Sequence, residues 1–156
     1  MPVGFENETN GALNVAVNAM KSAAQAHHFM GVDPQGQVSV VTTIGNSDGH
    51  IILRGGQSPN YGPEALSECQ KVLEKNQLNN SIVVDCSHGN SNKDFSRQPL
   101  VTSSVLKQIN KGNASIIGLM LESNLHEGQQ DVTLPVNDLK YGVSVTDACI
   151  GCPLLA

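Results

Sequence analysis

Short β-branched runs alternate with helix-period segments along nearly the whole chain, and this alternation restricts the fold more than any single motif. Residues 50–53, 82–84 and 116–121 are apolar runs of strand length, bounded by polar residues or glycine, and read as buried strands. Residues 1–5 look like the end of another strand, running directly into polar Glu6-Asn7-Glu8-Thr9-Asn10. Leu13, Ala16, Val17 and Met20 recur at helical spacing and predict a helix over 11–26, with Asn10 as its N-cap. Pro63 fits the first turn of a helix carrying Ala65, Leu66, Cys69, Val72 and Leu73. Val101, Val105 and Ile109 mark a third helix over 99–111, stopped at Gly112. Residues 29–43 read as a β-hairpin with Pro34 and Gly36 in its turn. After a polar loop over 123–142, residues 143–148 supply a last strand, and the tail 149–156 carries no helix. Such alternation predicts βαβ units and a parallel sheet. The fold class is therefore α/β: the four parallel strands before that last one, with three crossovers, make a small open sheet or half of a (β/α)8 barrel.

Chemistry concentrates where these strands end. The stretch S-I-V-V-D-C-S-H-G-N (81–90) delivers Asp85, Cys86, Ser87 and His88 in quick succession. The next two strands deliver Glu122 and Asp147. Parallel α/β folds keep their functional groups at such C-terminal strand ends. One imidazole and two carboxylates are a donor set suited to Mn, Fe, Co or Zn rather than to a purely Mg site. Capping and ordinary hydrogen bonding remain the bland alternatives for these three side chains. Arg54-Gly55-Gly56 can project a guanidinium while the backbone approaches an anion, although a structural ion pair is the commoner use of such an arginine. Asp85 can orient His88 or serve a structural hydrogen bond. His27-His28 reads as structural or exposed. Cys149-x-x-Cys152 is half a zinc set and lies outside a thioredoxin-like context.

Composition sets bounds on partners and location. At 156 residues the chain is one domain or part of one. With 3% aromatic residues and no Trp, its core is aliphatic. A net charge of −5 provides no basic footprint for nucleic acid or an anionic membrane. No apolar run approaches the ~18 residues of a membrane span, and M-P-V-G-F-E-N lacks the basic and apolar regions of a signal peptide. Four cysteines without a disulfide-framework pattern fit reduced thiols and a cytoplasmic protein.

Four long motifs in one register carry a resemblance. G-N-S-D-G-H-I-I-L-R-G-G (45–56), V-V-D-C-S-H-G-N-S-N-K (83–93), I-I-G-L-M-L-E-S-N-L-H-E-G (116–128) and Y-G-V-S-V-T-D-A-C-I-G (141–151) closely resemble class I 3-deoxy-D-arabino-heptulosonate-7-phosphate (DAHP) synthases. The resemblance runs from residue 2 to residue 151. It implies a (β/α)8 barrel and the condensation of phosphoenolpyruvate with erythrose 4-phosphate, releasing phosphate, at the head of the shikimate pathway to aromatic amino acids. It implies that His88, Glu122 and Asp147 are three of four ligands to a divalent metal, with Asp147 also near substrate. It implies that Arg54 grips phosphoenolpyruvate. The hairpin at 29–43 resembles inserted β-structure of the family's feedback site, which would place Phe29, Gly31 and Val41 against a Tyr or Phe effector. A small residue at Gly31 leans towards tyrosine.

The departures from the pattern are equally specific. The chain matches the family's barrel from about its fifth strand to its eighth, with the final helix missing. The fourth metal ligand, a cysteine on the first strand, and the Lys-Pro-Arg-Thr-type substrate segment have no counterpart. Where relatives carry G-F-K-N-G-T, this chain reads G-F-E-N-E-T, so Glu6 replaces a lysine that contacts phosphoenolpyruvate. The expectation is a half-barrel, inactive alone, that covers its exposed strand edges by homo-oligomerisation or by pairing with an N-terminal half. The alternatives are a non-catalytic duplicate that binds or regulates a full-length synthase, and a non-functional gene remnant.

Overall fold

Four short apolar runs pair in parallel to form the central sheet: β1 (Val3–Glu6), β4 (Gly49–Leu53), β5 (Ile82–Asp85) and β6 (Ile116–Met120), in the order β1-β4-β5-β6. The computed structural model describes residues 1–152. Helix α1 (Asn14–Ala23) follows β1, α2 (Pro63–Lys75) links β4 to β5, and α3 (Gln98–Asn110) links β5 to β6. Strand periodicity decides which face the helices cover. Ile51, Leu53, Ile82, Val84 and Ile116 are buried and meet Ala16, Val17, Met20, Leu66, Cys69, Leu73, Val101 and Val105 from the three helices. Each large aliphatic side chain so removed from water contributes about 1.5–3 kcal/mol. Residues of opposite parity, Ile52 and Val83, are only half-buried, so the second face of the sheet carries no helical layer.

The sheet is open among the described residues, with β1 and β6 at its edges. The parallel α/β architecture therefore matches expectation, while no closed barrel forms among the described residues. The hairpin is present as β2 (His28–Val32) and β3 (Val38–Thr42), antiparallel, with Phe29 opposite Val41. Its turn is held by Asp33, whose carboxylate accepts the Gln35 and Gln37 N–H groups at 2.9 Å each. Phe29, Gly31 and Val41 share one side of this ribbon. A Cβ at Gly31 would stand 2.6 Å from Val41 Cγ2, so the missing side chain is what lets Val41 lie across the strand.

Three local expectations change. Helix α1 is shorter than 11–26 because Gly11, at φ +94°, turns the chain first. Asn10 accepts the Ala12 N–H at 2.8 Å within that turn, and the N-cap is Leu13 without a side-chain bond. Residues 143–148 are not a strand. Ser144 makes an isolated bridge to Gln129 and nothing more regular. Side chains have claimed the backbone groups a ladder would need: Gln130 Nε2 donates to the carbonyls of Lys140 and Val143, and Ser144 Oγ accepts the Thr146 N–H. The strand forms later, as β8 (Ile150–Gly151), parallel to β7 (Ser123–Asn124). The tail expectation and the missing final helix fall partly on residues 153–156, outside the described residues.

Candidate metal centre

Backbone contact between loops builds the platform on which the candidate site stands. Gly55 has φ +76°, and a Cβ there would lie 2.5 Å from the Asn90 nitrogen. A Cβ at Gly56 would lie 2.4 Å from the Gly11 nitrogen. The two glycines after Arg54 thus let three strand-end loops meet backbone to backbone. Buried amides lock them. Asn7 Nδ2 donates to the Gly55 carbonyl at 2.7 Å, while Asn7 Oδ1 accepts the Arg54 N–H at 2.8 Å. Asn90 Nδ2 donates to the carbonyls of Leu53 and Asp85, and its Oδ1 accepts the Asn60 N–H.

On this platform β5 presents His88 in the left-handed region, at φ 45°. For a residue with a Cβ that conformation is strained and is held only by its surroundings. The surroundings are the Lys93 N–H on the His88 carbonyl at 2.7 Å and Asp85 on the ring. His88 Nδ1 stands 2.5 Å from Asp85 Oδ2, and Asp85 is fully buried. Burial pushes the Asp85 carboxyl above its ordinary range, against the Ser87 N–H and the His88 ring, which pull it down. Asp85 therefore orients His88, the role that ranked second on sequence grounds. With Nδ1 engaged by Asp85, Nε2 is the ring nitrogen left to face the cleft.

Nε2 faces two carboxylates, 3.7 Å from Glu122 Oε1 and 3.8 Å from Asp147 Oδ2. One donor atom from each of the three residues lies within 4.8 Å of the others. Ligands about 2.1 Å from a common transition-metal ion stand roughly 3.0–3.5 Å apart, so a small contraction brings this set to coordination distance. The donor chemistry fits a borderline divalent ion. Glu122 is well supported. Its Oε2 accepts Ser87 Oγ–H at 2.5 Å, and the buried Gln98 amide accepts the Glu122 N–H at 2.9 Å and donates to its carbonyl at 3.1 Å. Asp147 sits in the loop before β8 with its side chain 71% exposed, and is the freest of the three.

The set lines a cleft of about 240 Å³ that Arg54 and Lys93 also face. Arg54 is not free within it: Nη1 lies 3.4 Å from Glu6 Oε2. Phe29, Gly31 and Val41 belong to the separate hairpin ribbon. His27 and His28 are exposed and bond to the Ser22 carbonyl and the Thr42 hydroxyl. Cys149 and Cys152 are free thiols. Sequence reasoning gave no role to Asn7, Gln98 and Lys93, and named Ser87 only as one of the polar groups at its strand end. Their signal was faint, because an amide at a loop or helix start ordinarily faces water, and Gln98, the first residue of α3, lies just outside the helix predicted over 99–111.

Known proteins share this arrangement of elements. The Tyr-sensitive phospho-2-dehydro-3-deoxyheptonate aldolase of Escherichia coli K12 is 59% identical over 150 residues, which are 96% of this chain and 42% of that protein. The phenylalanine-inhibited phospho-2-dehydro-3-deoxyheptonate aldolase of Saccharomyces cerevisiae is 46% identical, again across 96% of this chain and 42% of the relative. The solved structure of phospho-2-dehydro-3-deoxyheptonate aldolase from Francisella tularensis SCHU S4 superposes with a TM-score of 0.88 at 44% identity, covering 97% of this chain and 44% of that one. The chain thus spans less than half the length of these relatives. A sequence model of the DAHP synthetase I family matches residues 1–154, and the chain belongs to that family.

Proposed function

We propose that this chain is the C-terminal half of a DAHP synthase barrel, running from about the fifth strand to the eighth, and that it is not competent alone. The supporting observation is the convergence of His88, Glu122 and Asp147 on one point, with Arg54 beside them in the same cleft. These three residues would hold a divalent ion, Mn, Fe, Co or Zn. Bound there, the ion supplies Lewis acidity towards an aldehyde carbonyl and fixes the oxygen of an incoming group. The chain's own residues do the rest of what half a site can do. Asp85 keeps the His88 ring turned towards the cleft. Gln98 and Ser87 hold Glu122 in place. Arg54 offers a fork matched to carboxylate or phosphate, which in the completed enzyme would be phosphoenolpyruvate, with erythrose 4-phosphate as the acceptor.

The open edges β1 and β6 need neighbours. They would come from a separately supplied N-terminal half or from a homo-oligomer. The hairpin, with Phe29, Gly31 and Val41 on one side, would form part of an aromatic amino acid effector site, tyrosine being favoured. The protein would work in the cytoplasm, and among the described residues no helix is long and apolar enough to cross a membrane.

The test is complementation. The purified chain with manganese, phosphoenolpyruvate and erythrose 4-phosphate is expected to release no phosphate, and co-refolding with the N-terminal half of a full-length relative is expected to restore release. Turnover by the chain alone overturns the claim of incompetence. A second reading is favoured by one observation, the Glu6–Arg54 pair: a non-catalytic duplicate that binds a full-length synthase and alters its feedback inhibition. No change in inhibition on adding the chain would count against it.

A further inference from the structure

The Glu6–Arg54 ion pair is built by the backbone rather than left to side-chain chance. Glu6 ends β1 and Arg54 follows β4, on neighbouring strands whose register pairs Glu6 with Ile52. The backbone just beyond is fastened on both sides: the Asn7 N–H donates to the Ile52 carbonyl at 3.1 Å, the Arg54 N–H to Asn7 Oδ1 at 2.8 Å, and the Gly89 N–H to the Arg54 carbonyl at 2.9 Å. Both side chains leave the sheet on the face without helices. They are 38% and 27% exposed, so the pair is partly shielded from water. Among the described residues, Glu6 is the carboxylate within ion-pair range of Arg54. The carboxylates that line the cleft, Glu122 and Asp147, face His88.

We propose that Glu6 is a specificity-determining residue whose carboxylate occupies the guanidinium of Arg54 in place of an anionic ligand, so that the cleft discriminates against phosphate- and carboxylate-bearing molecules. The inference rests on the reading of Arg54 as the anion-gripping residue of this cleft. A ligand anion must displace an attached carboxylate and then remain beside it. Both effects act in the same direction: the resident ion pair is lost, and a like charge stands next to the newcomer. The attached group competes at an effective concentration that free ligand must match, as any intramolecular competitor does.

The test is a titration of inorganic phosphate and of phosphoenolpyruvate into the full chain by isothermal calorimetry at fixed ionic strength, with Glu6→Gln, Glu6→Ala, Arg54→Gln and the Glu6→Gln/Arg54→Gln double variant. Both Glu6 variants are expected to bind phosphoenolpyruvate about five- to twentyfold more tightly than the unaltered chain. Arg54→Gln in the double variant is expected to erase the gain. Unchanged affinity in both Glu6 variants overturns the proposal. So does a gain that persists without Arg54, because it would then report net charge alone. Manganese binding, followed in the same samples by electron paramagnetic resonance, reads the His88 set separately. Its loss would overturn the metal-centre reading, while the Arg54 comparison would still decide the role of Glu6.

Discussion

The ring of His88 is held by a carboxylate that water does not reach: Nδ1 lies 2.5 Å from Oδ2 of the fully buried Asp85. Removing that charge while keeping the shape tests what it does. Asp85→Asn is expected to weaken manganese binding about 10–100-fold, the usual loss when the partner of a ligating histidine is changed. Electron paramagnetic resonance of free manganese gives the affinity directly. An unaltered affinity would show that Asp85 serves the fold only.

Gln98 satisfies both backbone groups of Glu122 from a position with no exposed surface. Gln98→Ala leaves the Glu122 N–H without its partner, while the Glu122 carbonyl keeps the Ile150 N–H at 3.0 Å. The expected cost is about 2–3 kcal/mol of stability by urea unfolding, accompanied by weaker metal binding as Glu122 loses its anchor. Gln98→Glu retains the acceptor and loses the donor, and is expected to fall between.

Gly55 is the tightest point of the loop platform. Gly55→Ala combines a left-handed backbone at φ +76° with a Cβ 2.5 Å from the Asn90 backbone. Neither neighbour is a flexible side chain that can move aside. The expected loss is about 2–4 kcal/mol, measured as the urea midpoint at unchanged slope. Gly36→Ala, where nothing lies within 4 Å, is the control. It carries the backbone penalty of φ +81° without the clash, and is expected to cost less.

Burial pushes the Cys69 thiol up to about 12, against an ordinary value near 8.5. In the folded protein Cys69 is therefore neutral and shielded at pH 8, and Cys86 is raised in the same direction by burial. Iodoacetamide is expected to label Cys149 and Cys152 in the native protein, and all four cysteines only after unfolding, read by mass spectrometry. The sign of the linkage follows. Between about pH 8.5 and 12 the unfolded chain releases the Cys69 proton and the folded chain keeps it, so this thiol lowers stability as pH rises through that window. Cys69→Ala is expected to flatten that part of the alkaline stability profile.

Much of this was legible in the sequence, for reasons that particular residues make plain. The run Ile82-Val83-Val84 could only be a buried strand, and a strand that short must release Asp85 to His88 at its end. The three helices were visible because Leu13, Ala16, Val17 and Met20, and their counterparts in α2 and α3, repeat at helical spacing. The structure brings Asp147 near His88 and Glu122, but from a loop and not from the end of a strand as the sequence suggested. Val143-Ser144-Val145-Thr146 alternates like a strand, yet Gln130 and Ser144 take its hydrogen bonds, and pairing resumes only at Ile150. The glycines after Arg54 suggested close approach to an anion, whereas the close approach is to other backbone. The Glu6–Arg54 pair could not be read at all, because it depends on the register of two strands more than forty residues apart.

The central claim is that His88, Glu122 and Asp147 together hold one divalent ion. The most direct test is manganese stoichiometry of the purified chain by electron paramagnetic resonance titration, beside His88→Ala and Glu122→Gln. About one ion per chain, lost in both variants while circular dichroism is unchanged, is the expected result. No binding, or binding indifferent to His88 and Glu122, would contradict the account and leave the family resemblance without a working metal site.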